Sequence, residues 1–193
     1  NKDILKPGHA QYTYLSKYGH FDYRGGGRAS ARETACRVAA ASIAKVILKQ
    51  AGISCYAYVS QVGHIIDESS VSPQYLASSP LFCANLNFEH QLEQYLVELI
   101  EQGDSIGGVV SFVAEDVPCG LGDPIYQKLE ACLVLAMMSI PASKGFEIGS
   151  GFKACQMKGS IHNDEFIMNN AKVATKTNDA GGILGGISNG MPI

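Results

Sequence analysis

The chain has 193 residues, of which 46% are hydrophobic and 17% charged, and its formal net charge is −3. This composition is typical of a soluble globular protein of one large or two small domains that can bury a core without disulfides. The charge is uneven, because residues 1–50 contain nine Lys or Arg against three Asp or Glu and the remainder contains six against fifteen. A local basic site fits this distribution, and a general nucleic-acid surface does not.

Cysteine and histidine spacing gives no indication of a metal centre. The six cysteines are far apart and form no C-x-x-C pair, and the histidines share no metal-ligand spacing, so we predict neither a zinc site nor a redox dithiol. A reduced, cytoplasmic protein is the simplest interpretation. No apolar run approaches the roughly 18 residues that a membrane helix needs, and the first residues lack the pattern of a secretory signal. We therefore expect no membrane partner.

The first half of the chain predicts one long helix and one strand. Residues 30–50 carry apolar or small side chains at helical spacing and Gly52 can end the run, which predicts a close-packing helix in the middle of a layer. Residues 53–66 are rich in β-branched and aromatic side chains and predict a strand. Residues 67–84 are rich in Ser and Pro and predict an irregular loop.

Further along, the pattern alternates between helix and strand. Asn87 is predicted to cap a helix through Gln102, and residues 107–117 predict a buried strand. Asp123 followed by proline predicts the start of a helix that runs to about residue 138. Residues 145–152 are expected to form another strand.

The last part of the chain is the hardest to interpret. Residues 153–176 lack periodicity and predict a long loop with one helical turn, whereas residues 180–188 alternate glycine pairs with aliphatic residues and predict a strand. The mixed order of elements favours an α+β fold. We expect a layered β-α-β sandwich with long central helices packed between antiparallel sheets.

A glycine-rich basic segment, RGGGRASARET at residues 24–34 (the arginine loop), is the clearest candidate site. Ser30 and Glu33 fit a capping box, so the free N–H groups of a new helix would lie near three arginines and could hold phosphate or carboxylate. The segment lacks the residues of a P-loop and the glycine spacing of a dinucleotide motif. The alternative is a plain turn into a capped helix in which Glu33 and Arg37 form an i, i+4 ion pair.

Two more segments allow a functional and a structural interpretation. His9 lies in a predicted turn beside the basic segment, where a histidine is more often a surface residue than a catalyst. The glycine pairs of residues 180–190 indicate close backbone packing, or a flat ligand that lies against the backbone.

Three blocks carry a family resemblance: PGHAQYTYLSKYGHFDYRGGGRASARETACRVAA at 7–40, GLGDPIYQKLEACLVLAMMSIPASKGFEIGSGF at 120–152 and TNDAGGILGGISNGMPI at 177–193. In this order they closely resemble the chorismate synthase family, over about half of the chain. The family's chains extend beyond both ends of this one. We therefore expect residues 1–193 to be the central part of a single domain of a bacterial-type enzyme, without the family's terminal segments and inactive alone.

The resemblance implies a lyase of the shikimate pathway. Chorismate synthases convert 5-enolpyruvylshikimate 3-phosphate to chorismate and phosphate by an anti 1,4-elimination that requires reduced FMN. The flavin is implied to donate electron density transiently as the C3 phosphate leaves, and flavin N5 to take the C6 proton. NADPH as the flavin reductant and a homotetramer are also implied. The competing hypothesis is a non-catalytic phosphate-binding or oligomer-assembly module.

The resemblance also assigns roles to residues. It implies FMN contacts at Arg28, Ala29 and Ser30 in the arginine loop, and at the pair Asp179 and Ala180 near the end of the chain. Ala29 stands where serine is common and Asp179 where a neutral amide is frequent. We therefore expect the FMN contacts of these two residues to be made by the backbone.

Charged residues near the N-terminal turn receive substrate roles. The resemblance implies that Arg32 and Lys6 bind substrate and that His9 acts as an acid near the reduced flavin. Lys6 stands where the family usually has arginine, so a single charge replaces a bidentate fork. Gln11 replaces the usual aspartate.

Overall fold

The computed structural model describes residues 4–69 and 71–193 of the chain. It begins with helix α1 (Gln11–Tyr18), which the sequence analysis did not predict, and α1 ends at Gly19 with φ of 74°. Short 3-10 turns at Gly27–Ala29 and Ala31–Glu33 lead into helix α2 (Thr34–Gln50). The predicted long helix is thus confirmed, with its first turn in 3-10 geometry.

The start of α2 differs in detail from the predicted capping box. The Ser30 hydroxyl oxygen accepts a hydrogen bond from the Arg32 N–H at 3.3 Å. Glu33 does not reach back to the cap; its carboxylate instead accepts from Arg37 Nε at 2.8 Å. Arg37 also donates to the Ser139 hydroxyl and carbonyl oxygens at 2.8 and 2.9 Å, so it ties α2 to a distant loop.

An antiparallel sheet follows, formed by strands β1 (Ser54–Val62), β2 (Ile65–Ile66) and, later in the chain, β3 (Gly108–Glu115) in the order β2-β1-β3. The predicted single strand over residues 53–66 is wrong at Gly63, where a φ of +57° turns the chain into a hairpin. A Cβ at this position would lie 2.8 Å from the Tyr95 hydroxyl oxygen, so the turn needs glycine for its space as well.

The described core lies between this sheet and helix α4. The segment predicted as an irregular loop contains a one-turn helix, α3 (Pro73–Leu76), and α4 spans Leu86–Gln102. Its cap is Asn85, not the predicted Asn87, because the Asn85 side chain accepts from the Phe88 N–H at 2.9 Å. The buried cluster consists of Cys83, Phe88 and Leu92, against which Val59, Val62, Ile65, Leu81 and Leu96 pack.

The predicted helix over residues 123–138 begins later than expected. Asp123 N–H donates to the Gln127 carbonyl at 2.9 Å and closes a turn, and helix α5 spans only Leu129–Met138. The predicted strand over residues 145–152 is also wrong. This stretch forms turns and enters a 3-10 helix at Gly151–Gln156.

Residues 157–193 form one short helix and two small hairpins. Helix α6 (Gly159–His162) is the expected helical turn, but the hairpin of β4 (Phe166–Asn169) and β5 (Lys172–Thr175) was not predicted. The glycine-rich segment predicted as one strand is a second hairpin, β6 (Ile183–Leu184) and β7 (Ile187–Ser188). The final residue, Ile193, exchanges two backbone hydrogen bonds with Ala114 of β3.

The predicted α+β class with antiparallel sheets is confirmed. Two burial expectations are not met within the chain: α2 has no buried residue, and Val110 of the strand predicted to be buried is 67% exposed. In the described part of the chain no helix is both long and apolar enough to span a membrane.

Candidate functional site

The arginine loop presents two guanidinium groups that have no side-chain partner in the part of the chain that the structure describes. Gly26 and Gly27 take left-handed φ values of +77° and +51°, which lets the chain turn sharply before α2. Arg24 is paired with Asp22 at 3.4 Å, whereas Arg28 and Arg32 are exposed and make no ion pair or side-chain hydrogen bond with any described residue. Both are therefore free to bind an anion.

A cleft of about 420 Å³ borders this loop. Helix α1 and the loop form its walls together, with Tyr14, Tyr18, His20, Phe21, Asp22, Gly26, Gly27 and Arg28 as lining residues. The aromatic wall is an ordered cluster, since the Tyr14 ring centroid lies 5.4 Å from that of Tyr18 and 6.1 Å from that of Phe21. The volume falls in the range typical of small-molecule sites.

The sequence analysis missed this aromatic wall because it did not identify α1. The available signal was the i, i+4 spacing of Tyr14 and Tyr18, which places two rings on one side of a helix. His20, which was considered only as a metal ligand, also lines the cleft, and its Nδ1 lies 3.3 Å from the Tyr18 carbonyl oxygen.

Ser30 caps the 3-10 turn that leads into α2 and can still bind a ligand. Its hydroxyl oxygen accepts from the Arg32 N–H, which occupies one lone pair and leaves the hydroxyl proton without a described acceptor. The backbone N–H groups of Ala29 and Ser30 are already used, because they donate to the carbonyls of Gly26 and Gly27 at 2.9 and 3.1 Å. Among the three residues predicted to contact FMN in this loop, the available side-chain donors are thus the Arg28 guanidinium and the Ser30 hydroxyl.

The turn that carries His9 is held by Gln11. The Gln11 side chain, only 5% exposed, accepts from the Lys6 N–H at 2.7 Å, and the His9 N–H donates to the Lys6 carbonyl at 3.2 Å. Both His9 and Lys6 have exposed side chains at the start of α1. The residue that departs from the family pattern at position 11 therefore still organises the turn.

The pair Asp179 and Ala180 (the 179–180 turn) lies in a second group of residues. Asp164 accepts from the Asp179 N–H at 2.8 Å and from the Ala180 N–H at 2.9 Å. Ser150 binds Asp179 from the other side, through its N–H to the Asp179 carbonyl at 2.8 Å and its hydroxyl to the Asp179 carboxylate at 2.5 Å. No motif in the sequence singled out Asp164 or Ser150.

Two glycines allow this close packing. Gly149 has a φ of +56°, and a Cβ there would overlap the Asp179 carbonyl oxygen. A Cβ at Gly181 would in turn overlap the Gly149 backbone nitrogen. Gly149, Gly181 and Gly182 therefore serve backbone-to-backbone packing, which was one of the two interpretations of the glycine pairs.

The electrostatics of the two groups are opposite. Partial burial raises the pKa of Asp164, but hydrogen bonds from Ala180, Thr177 and Asp179 outweigh it and hold the pKa below its ordinary value. The 179–180 turn thus faces the ionised Asp164 carboxylate and carries a second carboxyl group, while Arg28 and Arg32 of the arginine loop form no ion pair with any described residue. No hydrogen bond joins the two groups among residues 4–69 and 71–193, and their convergence on one ligand stays a prediction.

A family model described as chorismate synthase matches residues 1–193. The chain belongs to the chorismate synthase family. The chorismate synthase of Protochlamydia amoebophila is 54% identical over 98% of this chain, and that of Methanococcoides burtonii is 47% identical over all of it. These matches span 54% and 53% of the two relatives, so the chain covers about half the length of the curated relatives it matches.

A solved structure agrees with the fold. The crystal structure of a chorismate synthase aligns with a TM-score of 0.80 and 35% sequence identity, and the match covers 86% of this chain and 54% of the other. The α+β arrangement described above is therefore that of chorismate synthase over the matched region.

Proposed function

We propose that this chain forms part of the active site of a chorismate synthase, which converts 5-enolpyruvylshikimate 3-phosphate to chorismate and phosphate with reduced FMN. The observation that carries the proposal is the pair of guanidiniums of Arg28 and Arg32, which have no ion-pair partner within residues 4–69 and 71–193 and lie at a glycine turn beside an aromatic cleft. Family membership over all 193 residues supports the reaction and its place in the shikimate pathway.

Substrate recognition needs several cations, because the substrate carries one phosphate and two carboxylates. Arg32 and Lys6 are proposed to bind these anionic groups. Arg32 is exposed, and its Nη1 lies beside Gly25, 3.6 Å from the point that a Cβ on this glycine would occupy. A guanidinium can bind a carboxylate or phosphate through two parallel hydrogen bonds, whereas the Lys6 ammonium acts as a single charge.

Reduced FMN, when bound, supplies electron density and a proton acceptor for the elimination. The donor set of the arginine loop fits a phosphate or polar edge of the flavin through Arg28 and the Ser30 hydroxyl, with Ala29 beside them. The 179–180 turn fits a different part, because both of its N–H groups are already donated to Asp164. We therefore propose that the flavin phosphate lies at the arginine loop and that an uncharged part contacts Asp179 and Ala180.

His9 is proposed as the acid near the reduced flavin. Its imidazole is exposed beside the start of α1, and the turn that holds it is fixed by Gln11, so it can face a ligand without breaking a structural contact. Histidine is a common general acid or base in enzymes.

Membership of the family also supports NADPH as a flavin reductant, a cytoplasmic location and a homotetramer. One observation favours the second candidate, an oligomer-assembly role. The α2 side chains Val38, Ile43 and Ile47 are 67%, 69% and 61% exposed, which is unusual for a helix of this apolarity. An assembly role for α2 is compatible with a catalytic role for the arginine loop.

Titration of the chain with FMN, up to millimolar concentration and followed by amide NMR shifts, tests the proposal. We expect shifts at residues 26–30 and at the 179–180 turn. Arg28→Ala should raise the dissociation constant for FMN at least tenfold, because it removes a charge-assisted hydrogen bond that contributes about 1.5 kcal/mol or more. Arg24→Ala is the matched control, since Arg24 is already paired with Asp22. No response at either segment, or equal losses in both variants, would contradict the proposal.

A further inference from the structure

Asp164 lies outside every motif that identified the site, yet the β4–β5 hairpin brings it to the 179–180 turn. The hairpin pairs Phe166 with Thr175, and one residue further the Lys176 N–H donates to the Glu165 carbonyl at 2.9 Å. The next pair along the same ladder places Asp164 opposite Thr177, whose hydroxyl donates to Asp164 Oδ1 at 2.7 Å. The antiparallel register therefore brings the Asp164 carboxylate to the N–H groups of Asp179 and Ala180, which lie two and three residues beyond Thr177.

The two oxygens of Asp164 bind two consecutive amides. Oδ1 accepts from the Asp179 N–H at 2.8 Å and Oδ2 accepts from the Ala180 N–H at 2.9 Å. With the Asp179 carbonyl bound by the Ser150 N–H, every backbone polar group of Asp179 and the N–H of Ala180 are fixed. The Ala180 carbonyl has no donor among the described residues, so it is the backbone group that remains for a ligand.

We propose that Asp164 is a positioning residue. It fixes the peptide between Asp179 and Ala180, and the next peptide is held by the Gly181 N–H, which donates to the Asn178 carbonyl at 3.1 Å, so that the Ala180 carbonyl can accept a hydrogen bond from an N–H or hydroxyl of the flavin. The role of the flavin in this inference rests on the proposed function. The fixing of the turn rests on the contacts of Asp164 alone.

The substitution Asp164→Asn separates this role from a general structural one. The variant keeps the shape of the side chain but has a single acceptor oxygen, so an NH₂ group must face one of the two amides. We expect hydrogen exchange of the Asp179 or Ala180 amide to become about tenfold faster, because one hydrogen bond to a charged acceptor is lost. Thr177→Val is the matched control, because it removes the third bond to Asp164 and leaves both amides bound.

Exchange of the buried Leu92 amide in α4 reports global stability in the same spectra. Faster exchange at the turn with Leu92 unchanged supports the proposal, provided that Thr177→Val leaves the turn protected. An unchanged turn, or a parallel loss of protection at Leu92, overturns it. If FMN changes the NMR chemical shift of the Ala180 amide in the unmodified chain but not in Asp164→Asn, the result supports the link to the flavin. If the unmodified chain gives no such shift while the exchange result holds, the proposed function fails and the positioning of the turn stands.

Discussion

Glu89 is the buried carboxylate whose replacement should cost the fold most. It is 3% exposed, and its Oε2 accepts from the Tyr75 hydroxyl and from the Ser79 hydroxyl, the latter at 2.7 Å. The Ser79 oxygen in turn accepts from the Cys83 N–H at 2.9 Å, next to the core cluster. The Leu81 N–H faces the carboxylate and helps to lower the pKa of Glu89. Glu89 thus holds the segment before α4 against the helix itself.

The substitution Glu89→Gln keeps the volume and removes one acceptor. An amide oxygen can still receive the Tyr75 and Ser79 hydroxyls, but the NH₂ group then faces the Leu81 N–H, donor against donor. A hydrogen bond to a charged group contributes about 1.5–3 kcal/mol, and a buried unsatisfied donor costs about 1–3 kcal/mol. We expect a loss of about 2–3 kcal/mol in the free energy of unfolding. For a chain of this length that corresponds to a fall in Tm of roughly 5–10 °C.

The loss should depend on pH. Burial alone would raise the pKa of Glu89, but the hydrogen bonds from Tyr75, Ser79 and Leu81 hold it below the ordinary value of 4.5; the same contact raises the pKa of Tyr75 to about 12. The unfolded chain therefore binds the proton more readily. The stabilising contribution is complete above the ordinary pKa and is lost as pH falls through the folded one. The difference in the free energy of unfolding between the wild-type chain and Glu89→Gln should become smaller below about pH 4.5.

Urea unfolding at pH 7 and at pH 4, followed by circular dichroism, measures both effects. Glu93→Gln is the matched control, one turn further along α4, because Glu93 is exposed and only approaches His90 at 3.5 Å. Its effect should stay within about 0.5 kcal/mol. Equal free energies of unfolding for Glu89→Gln and the wild-type chain at pH 7 would refute this account of the buried carboxylate. A difference in unfolding free energy that is the same at pH 7 and pH 4 would also refute it.

Two further substitutions test the elements around the site. Ser30→Ala should lower stability by about 1 kcal/mol and speed amide exchange in the first turn of α2, whereas Ser42→Ala in the same helix should be neutral because that hydroxyl only donates back to the Val38 carbonyl. Gly149→Ala should cost about 2 kcal/mol and shift the 179–180 amide signals, since its Cβ overlaps the Asp179 carbonyl oxygen; Gly145→Ala, with open space around it, should not. Unfolding curves and amide spectra check both pairs, and equal effects within either pair would contradict them.

Local sequence signals located the long helices better than they located the turns. Apolar periodicity predicted α2 and α4, and the predicted end of α4 at Gln102 is confirmed, with Gly103 following at a left-handed φ of 65°. The cap of α4 was misplaced by two residues because Asn85 and Asn87 are equally plausible caps in sequence, and only the hydrogen bond to the Phe88 N–H distinguishes them. Asp123 with Pro124 has the composition of a helix start as well as of a turn, and the contact with Gln127 decides for the turn.

The candidate site divides in the same way. The arginine loop could be predicted because its glycines, arginines and helix cap are contiguous in sequence, whereas the aromatic wall depended on recognising α1. Asp164 could not be found from spacing, because a hairpin of unpredicted register separates it by 15 residues from Asp179. Tertiary contacts of this kind carry no local sequence pattern.

The structure also indicates which part of a ligand the arginine loop and the 179–180 turn can each bind. From sequence, the glycine pairs of residues 180–190 indicated close backbone packing or a flat ligand that lies against the backbone. In the folded chain the Asp179 and Ala180 N–H groups both donate to Asp164, and the Asp179 carboxyl group lies next to them. A phosphate at that turn would lie beside two carboxyl groups and two amides that are already bound, while Arg28 and Arg32 have no ion-pair partner among the described residues. A single flavin that contacts both segments must therefore place its phosphate toward the arginine loop.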